Sequence, residues 1–326
     1  MSKRALITGI NGQDGSYLAE LLLNNGYEVH GTIKRSSIED AGKLVNIKNI
    51  LDKIHLHTCT LDDHLALYKL ISTVRPDECY HLAASSFVSY SFDDEVSIIS
   101  ANFNSTHYLL SSIKELVPDC KFYFAGSSEI IGDVDISPQN EDTRFNPRSI
   151  YGISKLSSYY VVKNYRDQYG LYVCTGLAYN HESPRRGNAF VTKKITSSVA
   201  KIYLGYQDKL QLGNIQAVRD WGYSPDYVKA MYKMLKNSIG PTDYVISTGI
   251  GRTVEEFLDV AFSVVGLNYK NHIEINEKFF RPSEKYPLIG NSTKIFNDLG
   301  WKPTKKFNEM VEEMVIADIN YLKKSS

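Results

Sequence analysis

The chain has 326 residues, 43% hydrophobic and 23% charged, and its 37 Lys+Arg balance its 37 Asp+Glu to a net charge of zero. That length is too great for one minimal core and too short for three ordinary domains, so one elaborated unit or two joined lobes is expected. The balanced charge argues against a dedicated nucleic-acid binder, whose phosphate contacts need a basic excess, and leaves room for a local basic pocket around one phosphorylated ligand. No apolar run approaches the ~20 residues of a membrane span. The opening MSKRALITG carries no signal-peptide pattern, so a cytoplasmic protein with no membrane partner is expected. Cys59, Cys79, Cys120 and Cys174 lack CxxC or zinc-type spacing and read as buried hydrophobes in a reducing compartment; no metal site is expected.

Ala5 to Thr8 is a short apolar run that ends in glycines, and SYLAELLLNNGY follows with leucines at helical spacing and a stop at Asn25-Gly26. Glu28 to Ile33 reads as a second strand. Further strands are expected at 54–57, 78–83, 121–125 and 172–178, with helices near 63–74, 97–116, 149–169 and 189–205. Strands alternating with helices imply βαβ crossovers, hence an α/β protein with a Rossmann-type, doubly wound, mostly parallel sheet. From about Tyr179 the pattern loosens into loops rich in Asn, Gly, Pro and Arg, and an amphipathic helix from about Asn308 to Lys323 closes the chain. With no Pro/Gly/Ser linker in view, residues 1–178 are expected to form a dinucleotide-binding domain. Residues 179–326 would form mainly a smaller, discontinuous substrate-binding lobe, with a segment at about 214–250 returning to the first domain.

Gly9, Gly12 and Gly15 form G-I-N-G-Q-D-G directly between the first strand and the first helix. Glycines at these places give a tight turn, close approach to a pyrophosphate and close helix–strand contact, and the helix N-terminus offers N–H groups to the phosphates. The turn as a whole, with Gln13 and Asp14, is the expected dinucleotide cradle. An NAD-selective site places Asp or Glu at the end of the second strand. Here the strand runs out into Lys34-Arg35-Ser36-Ser37, where Arg35 and Ser36 suit a ribose 2′-phosphate, so NADP is the expected cofactor.

Tyr151 and Lys155 stand at i and i+4 of an expected helix and so share one face. A nearby ammonium favours the phenolate, letting the tyrosine exchange a proton with a substrate hydroxyl. Ser127-Ser128-Glu129 ends the strand before them.

On these motifs the chain resembles the extended short-chain dehydrogenase/reductases and, within them, the GDP-mannose 4,6-dehydratases and their close nucleotide-sugar relatives. The matching stretches run in order through nearly the whole chain: ALITGINGQDGSYLAELLL, RPDECYHLAASS, SSEIIG, NPRSIYGISK, NHESPRRGNAFVTKKI, LGN with RDWG, FFRPSE and LGWKP. NHESPRRG, Asn180 to Gly187, is the most specific of them. The resemblance implies a redox-neutral dehydration in which hydride leaves sugar C4 and returns to C6 while water is lost across C5 and C6. In that scheme Tyr151 is the base for the 4-hydroxyl, Lys155 its tuning cation and Glu129 the acid/base at C5. Ser127 stands in place of the family's threonine and can still donate and accept. The resemblance places Leu61, Leu82, Ala83, Ala84, Ser86, His181 and Arg186 at the cofactor. It places Ser86, Asn180, Val191, Lys193, Leu212, Gly213, Arg219, Arg281 and Glu284 at the GDP-linked sugar. A plain surface ion pair stays open for Arg281 and Glu284. A homodimer or homotetramer is implied, through helices near 97–116 and 149–169 and the loop after the second strand.

The chain departs from the family at Thr60 (usually Asp, with Asp62 and Asp63 close by), Ser85 (Gln), Phe87 (His) and Ile131 (commonly Tyr), and the connection before Phe279 is shorter than in longer relatives. These changes gather around sugar recognition and spare Tyr151, Lys155 and Glu129. A GDP-heptose or GDP-amino sugar therefore competes with mannose. An NADP-dependent epimerase or 4-ketoreductase, and a non-catalytic NADP-responsive protein, are the remaining readings.

Overall fold

The structure, a computed structural model, describes residues 2–84, 92–279 and 286–325. The first apolar run is β1 (Arg4–Thr8), and α1 (Gln13–Asn24) turns Leu18, Ala19 and Leu22 inward behind it. The alternation continues through β2 (Glu28–Ile33), β3 (Ile54–Thr58), α2 (His64–Val74), β4 (Glu78–His81), α3 (Phe92–Ile99), α4 (Ser105–Leu116), β5 (Lys121–Ala125), α5 (Ile150–Tyr169) and β6 (Val173–Ala178). The rest of the chain contributes β7 (Asn180–Glu182), α6 (Val191–Tyr203), β8 (Leu210–Leu212), β9 (Val218–Tyr223), α7 (Ser224–Lys236) and β10 (Tyr244–Ile246). It ends with β11 (Gly251–Thr253), α8 (Val254–Ser263), β12 (Ile273–Ile275), α9 (Thr293–Leu299) and α10 (Phe307–Ser325). Among the described residues no helix is long and apolar enough to cross a membrane.

The main sheet has seven strands in the order β10-β6-β5-β4-β1-β2-β3, parallel at each pairing. This is the doubly wound arrangement expected from the strand–helix alternation. The order reverses between β1 and β4, which opens a crevice at the carboxyl ends of those strands. One face is sealed by α1 and α7, with Leu18, Leu22, Met231 and Met234 in the core; the other is sealed by α2, α4 and α5 through Leu67, Ile71, Leu109 and Val162. β10 takes the sheet edge beside β6 although it lies late in the chain. A separate core, with Ile195, Val199, Phe257, Phe262, Met310 and Met314, joins α6, α8 and α10 next to the small sheets β11-β9-β7 and β12-β8.

The single helix expected near 97–116 is divided. A π-helical turn at 100–104 separates α3 from α4. Its cause is Asn102, which is buried and donates to Ser154 Oγ at 3.0 Å, while its carbonyl accepts from the hydroxyls of Thr106 and Ser158 at 2.9 and 3.2 Å. Pulling Asn102 onto α5 widens the helical turn there, a distortion frequent at functional sites.

α5 is held at its far end by Arg166, whose Nη1 and Nη2 donate to the two oxygens of Asp243, both at 2.8 Å, while Thr175 N donates to Asp243 Oδ1 at 2.8 Å. Both side chains are largely buried, at 15% and 12% exposure. Removing one partner of such a pair strands the other charge. We predict that Asp243→Ala costs about 3 kcal/mol, read as a lowered urea midpoint with an unchanged slope.

Candidate active site

A cavity of about 1540 Å³ runs along the carboxyl ends of the sheet from the β1–α1 turn to α6 and the β8 strand end. At the turn, Gly9 adopts φ +71°, and a Cβ there would sit 3.1 Å from Ala83 Cβ. A Cβ on Gly15 would lie 2.3 Å from Gly9 O and 2.8 Å from Ile10 Cα, so only glycine lets α1 approach β1 this closely. Gly12 begins α1 with no side chain to cap it. The resulting cradle of backbone N–H groups at a helix N-terminus fits a pyrophosphate.

Gln13 and Asp14 border the cavity, yet their side chains point across to β7 and α7. Gln13 Nε2 donates to His181 O at 3.0 Å and Ser183 Oγ donates to Gln13 Oε1 at 2.9 Å. Asp14 accepts from His181 Nε2 at 2.8 Å and from Ser224 Oγ at 2.7 Å. His181 Nδ1 faces Tyr179 O at 2.7 Å, so both ring nitrogens face acceptors, an arrangement that favours the doubly protonated imidazole. Burial opposes both charges, but each group overcomes it in the other: the imidazolium holds Asp14 down at about 2, and the carboxylate raises His181 above the ordinary histidine value. With both nitrogens spent, His181 positions the turn and meets a ligand only through its ring carbons and backbone.

The wall after β5 carries the candidate reacting side chains. Glu129 N donates to Ser127 Oγ at 3.2 Å, capping a short 3-10 turn over 128–130. Ser149 Oγ accepts from Gly152 N at 3.0 Å and starts α5, which brings Tyr151 and Lys155 to the same wall. Gly152 makes that approach feasible, since a Cβ would lie 2.6 Å from Glu129 O. Lys155 is 3% exposed, and its Nζ donates to Ala125 O at 2.7 Å. Burial pushes its amine down to about 7. Burial likewise pushes the Tyr151 phenol up to about 12, against the favourable hydrogen bond with Ser127 and with the Glu129 carboxylate adding to the rise.

Leu82, Ala83 and Ala84 follow β4 onto the wall, where Leu82 N and Ala83 N both donate to Thr8 Oγ1 at 3.1 Å. Lys34, Arg35 and Leu61 line the far end. Ser36 does not: the 3-10 turn 35–37 faces it outward, and Ser37 is the buried serine on the wall. Asn180, Arg186, Val191, Leu212, Gly213 and Arg219 border the opposite end, with Arg186 Nε 3.0 Å from Glu182 and its guanidinium 3.6 Å over the Phe190 ring.

Lys193 is a correction. It is turned off the wall to Asp318 of α10 and to Pro184 O at 3.0 Å, and the next residue, Lys194, lines the cavity. One helical step of 100° separates the two lysines, and the Asp318 carboxylate captures the inner one. Lys194 Nζ stands 4.2 Å over the Phe279 ring, and Leu212-Gly213 passes so close that a Gly213 Cβ would be 2.4 Å from Phe279 O. Lys194, Phe279, Ser37 and Asn46 are cavity residues that sequence reasoning missed; helical phase in FVTKKI was the one available signal, for Lys194. Ser85, Ser86, Phe87, Arg281 and Glu284 lie outside the described residues. Ile131 is fully buried beside Ile130 and off the cavity wall, so its departure from tyrosine is a matter of core packing.

The Asp14–His181 pair generates a pH signature. Asp14 contributes stability above the unfolded carboxylate value of 3.8, lost as pH falls through about 2; His181 contributes stability below 6.5, lost as pH rises through its elevated folded value. In Asp14→Asn only burial remains dominant, so the His181 imidazole should titrate below 6.5 instead of above it, as read by NMR.

The sequence profile of the GDP-mannose 4,6 dehydratase family matches residues 6–314. "GDP-mannose 4,6 dehydratase 2" of Arabidopsis thaliana is 46% identical over 335 residues, covering 99% of this chain and 88% of that one. "GDP-mannose 4,6 dehydratase" of Homo sapiens is 44% identical over 343 residues, covering 98% and 92%. Among solved structures, dTDP-glucose 4,6-dehydratase from Bacillus anthracis in complex with NAD superposes with a TM-score of 0.84 at 22% identity, over 99% of this chain and 97% of that chain, a likeness of fold. The glycine cradle, the Tyr151/Lys155/Glu129 wall and the full-length likeness agree, and the chain belongs to the GDP-mannose 4,6-dehydratase family.

Proposed function

We propose that the protein converts GDP-mannose to its GDP-4-keto-6-deoxy sugar, with Tyr151, Lys155, Ser127 and Glu129 as the reacting wall. The carrying observation is Glu129 on the same wall as Tyr151 and Lys155: a plain dehydrogenase needs no third acid/base there. A bound nicotinamide dinucleotide would supply a hydride acceptor at C4 that returns the same hydride to C6. Tyr151 takes the 4-hydroxyl proton, aided by Lys155, and Ser127 hydrogen-bonds the same oxygen. The ketone formed at C4 acidifies C5–H. The Glu129 carboxylate accepts that proton and passes it to the departing 6-hydroxyl, so water leaves and a proton re-enters at C5. We read residues 1–178, with the returning α7 and β10, as the dinucleotide half and 179–326 mainly as the sugar-binding half.

NADP is the favoured dinucleotide because Lys34 and Arg35 follow β2 where an NAD site would carry a carboxylate. Asn180, Val191, Leu212, Gly213 and Arg219 border the opposite end, where the GDP moiety fits, and an arginine suits its diphosphate. Exposed apolar side chains on α3 and α5, Val96, Ile99, Ile153 and Tyr160, support a homodimer or homotetramer packed through these helices. Light scattering should then give at least twice the 36.9 kDa chain mass.

The function is tested by offering GDP-mannose, a GDP-heptose, a GDP-amino sugar and a UDP-sugar in D2O, with NADP or NAD. GDP-mannose with NADP should give a product lighter by one water, deuterated at C5, with no net nicotinamide reduction. Glu129→Gln should slow turnover about 10²–10⁴-fold, and Tyr151→Phe similarly. Turnover retained in Tyr151→Phe, or net reduction of the dinucleotide, overturns the mechanism.

A further inference from the structure

Away from the cavity, strand register assembles a second constellation that spacing along the chain conceals. Glu28 and His30 alternate on β2, His55 and His57 alternate on β3, and parallel pairing sets His30 against His55 and Thr32 against His57. Alternate residues of a strand share a face, so all four groups stand on one side of the sheet at its outer edge. Their polar atoms converge. Glu28 Oε1 lies 3.0 Å from His30 Nε2 and 3.8 Å from His55 Nε2, and the other nitrogen of His30, Nδ1, lies 3.0 Å from His57 Nε2. The His30 ring stacks between its neighbours, with centroids 4.7 Å from His55 and 5.3 Å from His57.

We propose that Glu28, His30 and His55 bind one divalent transition-metal ion of the zinc type, with His57 as the outer partner that orients His30. Two imidazole nitrogens and a carboxylate oxygen are the donor set of a borderline cation and a poor one for magnesium or calcium, which take oxygen shells. The three donor atoms all lie within 4.8 Å of one another, and among the described residues no other such group comes together. Tetrahedral zinc with bonds of about 2.0–2.1 Å sets its donors roughly 3.3 Å apart, so the Glu28–His30 pair at 3.0 Å opens slightly while His55, 3.8 Å from Glu28, moves in. Glu28 and His55 have room for this, with side chains 39% and 60% exposed, while His30 at 11% is the fixed point. The cation takes the place of the hydrogen between His30 Nε2 and Glu28, the single ring proton shifts to Nδ1, where it is donated to His57 Nε2, and three protein ligands leave a fourth tetrahedral position for water. The His30 Nδ1–H···His57 contact is the orienting hydrogen bond that metal-binding histidines ordinarily make.

None of the four residues lines the cavity, so the ion ties β2 to the edge strand β3 without entering the reaction. The test uses the tag-free full chain, stripped with EDTA and titrated calorimetrically with ZnCl2, with MgCl2 as control. One zinc per chain with a raised melting temperature, and no response to magnesium, is expected. His55→Ala changes an exposed edge position and should keep the EDTA-state melting temperature while weakening zinc at least tenfold; His57→Gln should weaken it about tenfold through loss of orientation. Absence of saturable one-to-one binding in the wild type, or wild-type affinity in His55→Ala, overturns the proposal.

Discussion

The part-buried contact between Asp14 and His181 ties together residues 167 positions apart and fixes what lies between them. One partner stands in the first turn of α1, the other on β7, and the cavity opens where these elements meet. Withdrawing both charges from much of the solvent is costly, and further hydrogen bonds offset it: Ser224 on one side, the Tyr179 carbonyl on the other, and Gln13 bridging to the His181 carbonyl and the Ser183 hydroxyl. The ring also stacks on Tyr227, with centroids 4.6 Å apart. Such a network gives little net stability, but it allows one geometry of the phosphate turn relative to the strand that carries NHESPRRG.

A second constraint acts on the β5 wall, the burial of Lys155 and Tyr151 on one helical face. Desolvation pulls the amine down to about 7 and the phenol up to about 12, so both drift toward their neutral forms. An amine with a pKa of about 7 changes its charge at little cost. The Ala125 carbonyl anchors the amine, and Ser127 shares the phenol's hydrogen bond, so neither group is left to wander. Glu129 reaches the same wall because Gly152 lets α5 begin against its carbonyl.

Six of the seven main-sheet strands were legible from sequence as short runs closed by glycine or polar residues, while β10, which reaches the edge from late in the chain, was not; the glycine cradle was legible because three backbone demands act within seven residues. What escaped depends on tertiary partners. The division of the helix at 100–104 is caused by Asn102 reaching Ser154 and Ser158 on another helix. The choice between Lys193 and Lys194 is decided by Asp318, far along the chain. The alternation E-x-H on β2 and H-x-H on β3 was visible as text, but only parallel register brings Glu28, His30, His55 and His57 to one face. Ser37 replaced Ser36 at the cavity because a 3-10 turn, not an extended loop, follows β2.

Within the neutral total, two groups of cations differ in what they meet. Arg185 is spent on Glu20 and Ser16, Arg186 on Glu182, Lys193 on Asp318 and Arg166 on Asp243, and these hold the architecture. Lys34 and Arg35 border one end of the cavity, and Lys194 and Arg219 the other. Two phosphorylated ligands meeting over one wall would need cations at both ends and neutral, desolvated groups between them. The described residues are distributed in that way, with a buried amine near neutrality at the centre. A net charge of zero is therefore no sign of indifference to anions: it is a sum over the whole chain, and cations stand at both ends of the cavity.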